Sequence, residues 1–160
     1  MNRNIVVSLE CFVRKDGKYL MLERDAGKRI MPGVLMAPGG KREFNEGLFV
    51  CARREVLEET GLRIKNLRIK ATGNAYLHDL DQEFYFHFVF ANYAGGVLTK
   101  NCPEGKLVWL TPSEILSHER VLAEIRLLGN RLFSTTNEVL SYTAVYTSGN
   151  TLESFTIEAP

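Results

Sequence analysis

The sequence predicts an α/β fold built as one domain over residues 1–160, and three stretches carry that prediction. A β-branched, apolar run from Ile5 to Val13 meets the turn dipeptide Asp16-Gly17 and resumes at Lys18 to Leu22, the pattern of a β-hairpin. Leu48 to Thr60 contains neither glycine nor proline and stops at Gly61, as a helix and its terminator do. Glu83 to Tyr93 sets Phe84, Phe86, Phe88 and Phe90 at period two, so all four share one face of a strand. They are read as core aromatics rather than as a platform for stacking bases.

The remaining elements follow in chain order. Asp25 to Gly40 is a loop punctuated by glycine and proline, with room for one short strand around Val34 to Ala37. Arg63 to Ala75 alternates loosely as a strand, and Lys106 to Leu110 forms another. Thr111-Pro112-Ser113-Glu114 is a capping box with proline at the first helical position, so a brief helix starts there. Ser117 is placed to cap a second helix, on which Val121, Leu122, Ile125, Leu128 and Leu132 share a face. Asn137 to Ile157 reads as a hairpin turning at Ser148-Gly149-Asn150.

Composition narrows the partners. With 45% hydrophobic and 24% charged residues and a formal net charge of +1, the chain is expected to be a soluble globular protein. It has no basic tract to attract a membrane or a nucleic-acid polymer. Cys11, Cys51 and Cys102 are odd in number and far apart, which points to neither a disulfide framework nor a zinc site. A reducing cytoplasm is the expected location. The N-terminal apolar run meets Glu10 too early for a signal peptide or a membrane span. His78, His87 and His118 are read as satisfied or solvated side chains.

Acid concentrates between Gly39 and Leu62, where GGKREFNEGLFVCARREVLEETGL carries Glu43, Glu46, Glu55, Glu58 and Glu59. On a helix, Glu55, Glu58 and Glu59 fall at i, i+3 and i+4, which puts three carboxylates on one face with Cβ atoms roughly 5–6 Å apart. Like charges on adjacent turns repel, and a divalent cation reverses the sign of that interaction. Hard oxygen ligands select Mg²⁺ or Mn²⁺ over zinc or copper, and Mg²⁺ shares its remaining positions with water and substrate phosphate. An acid-rich helix face is more often only solvated surface, so the spacing of the whole stretch has to decide.

That spacing is Gly40, five residues, Glu46, seven residues, Arg54-Glu55, apolar Val56, any residue, Glu58-Glu59, any residue, Gly61 and apolar Leu62. It resembles the signature of the Nudix hydrolase family at every specified position, and the likeness extends upstream through Ala37-Pro38-Gly39-Gly40-Lys41. The resemblance implies the Nudix fold, an α/β/α sandwich around a mixed β-sheet. It also implies hydrolysis of nucleoside diphosphates linked to another moiety, with Mg²⁺ or Mn²⁺ as cofactor and a nucleotide as substrate. Under it, Glu55, Glu58 and Glu59 correspond to metal ligands, with the Gly39 carbonyl a further candidate. Arg54 orients the glutamates, and Glu46 serves architecture. Glu55 or Glu59 is the candidate base. Glu104, five residues before Trp109, resembles the loop acid that some members add to the metal site. Arg24 and Lys41 resemble phosphate-facing basic positions.

Substrate choice lies outside the box. The tyrosine of diadenosine polyphosphate hydrolases and the proline of ADP-ribose pyrophosphatases, about 16–18 residues beyond the box in those branches, have no counterpart among Leu77, His78, Asp79 and Leu80. Arg24, Arg29 and Gly33 reproduce only part of the coenzyme A motif. The compact domain, Gly40-Lys41 and the C-terminal hairpin look most like the MutT-like branch of nucleoside triphosphate pyrophosphohydrolases, which includes enzymes acting on oxidised dGTP. An ADP-ribose, nucleotide-sugar or dinucleotide pyrophosphatase is the alternative, and a ligand sensor without catalysis a more distant one. A homodimer is common in the family, and removal of pyrophosphate from RNA ends is disfavoured by the near-neutral charge.

Overall fold

Strand β1, Ile5–Lys15, runs between two apolar layers, and its alternation feeds both. Leu9, Cys11 and Val13 point into one cluster and Phe12 into the other, as the period of a pleated strand requires. The computed structural model describes residues 3–160. Met1 and Asn2, the start of the stretch read as neither signal peptide nor membrane span, lie outside the described residues. Among the described residues no helix is long and apolar enough to cross a membrane.

After β1 come β2 (Lys18–Arg24), β3 (Leu35–Met36), β4 (Gly39–Lys41), α1 (Leu48–Thr60), β5 (Leu62–Leu77) and β6 (Gln82–Gly96). The chain continues through β7 (Gly105–Leu110), α2 (Pro112–Ser117), α3 (Ala123–Leu132), β8 (Leu140–Thr147) and β9 (Thr151–Ile157). The sheet runs β3-β2-β1-β6-β5-β8-β9, with β4 also paired to β1 and β7 to β2. It is mixed: β1 lies parallel to β6 and β5 parallel to β8, whereas β1–β2, β5–β6 and β8–β9 are antiparallel.

A helical layer covers each face. Cys51, Ala52 and Val56 of α1 pack with Leu9, Cys11, Val13, Val89 and Ala91. Ile115 of α2 and Ile125, Leu128 and Leu132 of α3 pack with Phe12, Phe88, Phe90 and Tyr142. The result is a Nudix-type sandwich with the sheet in the middle. Phe88 and Phe90 are buried, and the Phe90 ring stacks on Phe12 at 4.6 Å between centroids. Phe84 and Phe86 are only partly buried at the edge of the same cluster.

The structure departs from the sequence reading in three places. Ser117 closes α2, where its hydroxyl meets the Glu114 carbonyl at 3.4 Å, and does not cap the next helix. That helix starts at Ala123, because the segment before it pairs with β3 instead: Leu35 N–H donates to Arg120 O at 2.8 Å and Leu122 N–H to Leu35 O at 2.9 Å. Second, Gly39 and Gly40 belong to β4 and not to the loop, with Glu10 opposite Gly39 and Ser8 opposite Lys41. Only glycine permits this approach, since a Cβ on Gly39 would lie 2.0 Å from the Leu9 carbonyl oxygen. Third, β5 and β6 extend beyond Arg63–Ala75 and Glu83–Tyr93, and their pairing shifts register between Leu62 and Ala71. There Lys70, 1% exposed, donates to the carbonyls of Ser134 and Thr136 at 3.1 and 3.0 Å and ties β5 to the chain leaving α3.

Two expectations follow. Gly39→Ala should lower stability in urea by about 2 kcal/mol or more, because the overlap is with backbone that cannot step aside, whereas Gly27→Ala in an exposed turn should stay within about 0.5 kcal/mol. Equal denaturation midpoints for the two variants would contradict the packing at β4. The second concerns Glu124, a buried carboxyl that accepts a hydrogen bond from the Tyr146 hydroxyl. Burial lifts its pKa above the ordinary 4.5, so as pH rises past that value the unfolded chain releases a proton that the folded one keeps. Stability therefore falls with rising pH. In urea melts between pH 5 and 8, Glu124→Gln should show a shallower decline than the wild type, and equal slopes would contradict this.

Candidate active site

Helix α1 starts after Gly47 without a side-chain cap and ends at Gly61, whose left-handed φ of 78° lets its N–H reach Leu57 O. Along it the three box acids have different surroundings: Glu55 is mostly covered, Glu59 is partly buried against β4, and Glu58 is 59% exposed. Arg54 ties them to the preceding loop. Its guanidinium bonds Glu46 at 2.7 and 3.0 Å, Glu55 at 2.7 Å, Glu58 at 3.3 Å and the Lys41 carbonyl at 3.1 Å. Glu46 also accepts from the Glu43 N–H at 2.9 Å. The hydrogen bond from Arg54, helped by that N–H, holds the Glu46 carboxyl down to about 2. Arg54 is shifted upward in turn, first by Glu46.

Glu59 lies on the opposite side of this network. Its Oε2 accepts from the Gly39 N–H at 3.1 Å. Burial pushes its carboxyl up to about 8, with the Gly39 bond working against the shift and Glu55 and Glu104 adding to it. Glu55 is also raised by burial and restrained by Arg54. Gly40 makes room for Glu55: a Cβ there would sit 2.5 Å from its carboxyl group. Among the described residues no three histidine, cysteine or acidic side chains already converge as a metal cluster, because Arg54 draws Glu55 and Glu58 while Glu59 turns to β4. The donor set nevertheless suits a hard divalent cation. It consists of carboxylate and carbonyl oxygens, and the glycine strand leaves a cradle over Glu55 that any side chain would fill.

Arg24, at the end of β2, donates to Ile30 O at 2.6 Å and to Glu104 at 3.0 Å. Lys28 meets the same carboxylate at 3.4 Å. Glu104 is thus brought to Arg24 by the loop before β7, where its carbonyl also accepts from Asp25 N–H at 3.0 Å. Lys41 is exposed on β4. The histidines stand apart from the acids. His87 is buried with Nδ1 at 3.2 Å from Ser8 O, His118 Nδ1 accepts from Arg120 N–H, and His78 lies in a 3-10 turn near Glu153.

A cavity of about 170 Å³ opens beside the acids, and its wall includes Arg24, Gly39, Lys41 and Glu59. The same wall contains Ser8, Glu10, Glu124 and Tyr146, which the sequence reading did not single out. One signal was present for Glu10: a carboxylate between Leu9 and Cys11, inside an apolar strand that gives it no local partner.

Residues 3–128 match the NUDIX domain family model. A Bacillus subtilis protein described as the uncharacterized Nudix hydrolase YvcI is 32% identical over 109 residues, 66% of this chain and 65% of that one, so the match spans just under two thirds of the relative. A mutator MutT protein from Bacillus halodurans has a similar structure, with a TM-score of 0.79 at 28% identity over 97% of this chain and 99% of its own. The MutT protein from Methanosarcina mazei Go1 shares the fold, with a TM-score of 0.70 at 24% identity over 83% of this chain and 96% of its own. With residues 3–128 matched and the acid helix inside the match, the chain belongs to the NUDIX domain family.

Proposed function

We propose that the protein is a divalent-cation-dependent hydrolase that cleaves the diphosphate linkage of a nucleoside diphosphate derivative, and that its substrate is a nucleoside triphosphate, oxidised deoxynucleotides included. One observation carries this reading. Glu59 of the acid helix lines a cavity whose wall also bears Arg24 and Lys41, so a carboxylate of α1 and phosphate-directed cations border one space.

Glu55, Glu58 and Glu59 would hold Mg²⁺ or Mn²⁺, with the Gly39 carbonyl and Glu104 as further oxygen ligands. When bound, such an ion neutralises charge on phosphate oxygens and lowers the pKa of a coordinated water. Arg54 keeps Glu55 and Glu58 on the helix face and is itself anchored by Glu46, so the acids do not splay apart before substrate arrives. Arg24 and Lys41 take the diphosphate oxygens; Arg24 is held in place by Ile30 O and Glu104. Glu55 or Glu59 accepts the proton of the attacking water as its oxygen bonds to phosphorus and the bridging oxygen departs.

A panel of nucleoside triphosphates, ADP-ribose and dinucleoside polyphosphates, assayed with Mg²⁺, Mn²⁺ and EDTA, should give cation-dependent turnover, highest on a triphosphate. Absence of turnover across the panel with ligand binding intact would contradict hydrolysis and favour a sensor. Glu59→Gln should lower the rate by about 10²–10⁴-fold and leave the melting temperature nearly unchanged. Full activity in that variant would remove Glu59 from the site.

A further inference from the structure

Among the described residues, the cavity beside α1 contains two polar atoms without partners, Ser8 Oγ and Glu10 Oε2. Both residues lie on β1, two positions apart, so their side chains leave the same face of the strand about 7 Å from each other. They are 5% and 2% exposed. Glu10 is pinned as well as buried, because its Oε1 accepts from the Ala37 N–H at 2.5 Å. Each unpaired atom costs about 1–3 kcal/mol when water is withdrawn, and most buried polar groups in native proteins avoid that cost. Two such atoms on one wall of one cavity indicate an occupant that pairs with them.

The rest of the wall states what kind of occupant fits. Met31, Leu77, Phe84 and Phe86 make most of it apolar, which disfavours a bare anion. A hexose would bury hydroxyls on every side against only two waiting atoms. A flat heteroaromatic ring fits, with apolar faces for the phenylalanines and hydrogen-bonding atoms confined to its edge. The volume of about 170 Å³ lies below the roughly 300–1,000 Å³ of sites that enclose whole ligands, and so suits one ring system. Gly39, Lys41 and Glu59 share the wall, which puts the diphosphate of the same ligand within reach of the acid helix.

We propose that Ser8 and Glu10 read the hydrogen-bonding edge of the substrate's nucleobase, with the ring against Phe84 and Phe86, so that base preference is set on β1. The inference rests on the nucleotide reading above and assigns its specificity to two residues outside the acid motif.

Isothermal titration with dAMP, dCMP, dGMP, dTMP and 8-oxo-dGMP in EDTA tests it without turnover. The wild type should prefer one base by about tenfold or more, as sites with buried polar groups do. Ser8→Ala should weaken that ligand by about fivefold, the effect of one lost hydrogen bond, and melt no lower than the wild type, because no bond within the protein is lost. Glu10→Gln keeps an acceptor for Ala37 N–H and turns an NH₂ toward the ligand, so it should change the ranking of the bases. Wild-type ratios within twofold in both variants, or a wild type that binds the five alike or not at all, would overturn the proposal. The two readings fail separately: base preference without hydrolysis removes only the hydrolytic reading, and hydrolysis without base preference removes only this one.

Discussion

The guanidinium of Arg54 spans the loop before α1, the helix itself and strand β4, and the candidate site depends on that one planar cation. Its donors hold Glu46 on one side and Glu55 and Glu58 on the other, with the Lys41 carbonyl closing the set. Three acids at i, i+3 and i+4 would repel one another on an unaided helix. With Arg54 among them the repulsion is offset locally, and the carboxylates stay on one face. A lysine could not do the same, because a single ammonium lacks the fork that reaches several acceptors in fixed directions.

The strand that faces this helix has a matching constraint. Gly39 and Gly40 let β4 run against β1 so closely that a Cβ at either position would meet backbone or the Glu55 carboxyl. The Gly39 N–H then reaches Glu59, and the same pairing sets Glu10 opposite Gly39 and Ser8 opposite Lys41. Helix, glycine strand and β1 thus form one unit in which Lys41 and the two cavity atoms without partners among the described residues lie on adjoining strands. The deeper layers, Phe12 on Phe90 and α3 over the sheet, keep β1 in the middle of the molecule.

The parts of the fold written in local chemistry were legible in the sequence. Leu48–Thr60 is bounded by glycines and carries the motif, the capping box at Thr111 starts α2, and Gly149 turns the last hairpin. What escaped was written in partners distant along the chain. Ser117 carries a cap signal, but the segment after it spends its hydrogen bonds on Leu35, and α3 begins later. Gly39 and Gly40 have the composition of a loop and form a strand only because β1 is there to pair with. In the site, an architectural Glu46 followed from the family resemblance, whereas its pairing with Arg54 and the join of Arg24 to Glu104 needed the fold. Glu10 showed in the sequence only as a lone carboxylate in an apolar strand, and Ser8 became visible only once the strand had a cavity beside it.

The claim on which the account turns is that the carboxylates of α1 form a divalent-cation site. Titration of Mn²⁺ into the protein, followed by the loss of the free-ion electron paramagnetic resonance signal, tests it directly. The wild type should bind Mn²⁺ at least about tenfold more tightly than Glu55→Gln, in the range by which altered ligand environments weaken metal sites. Equal affinity in the two proteins, or no binding by either, would contradict it.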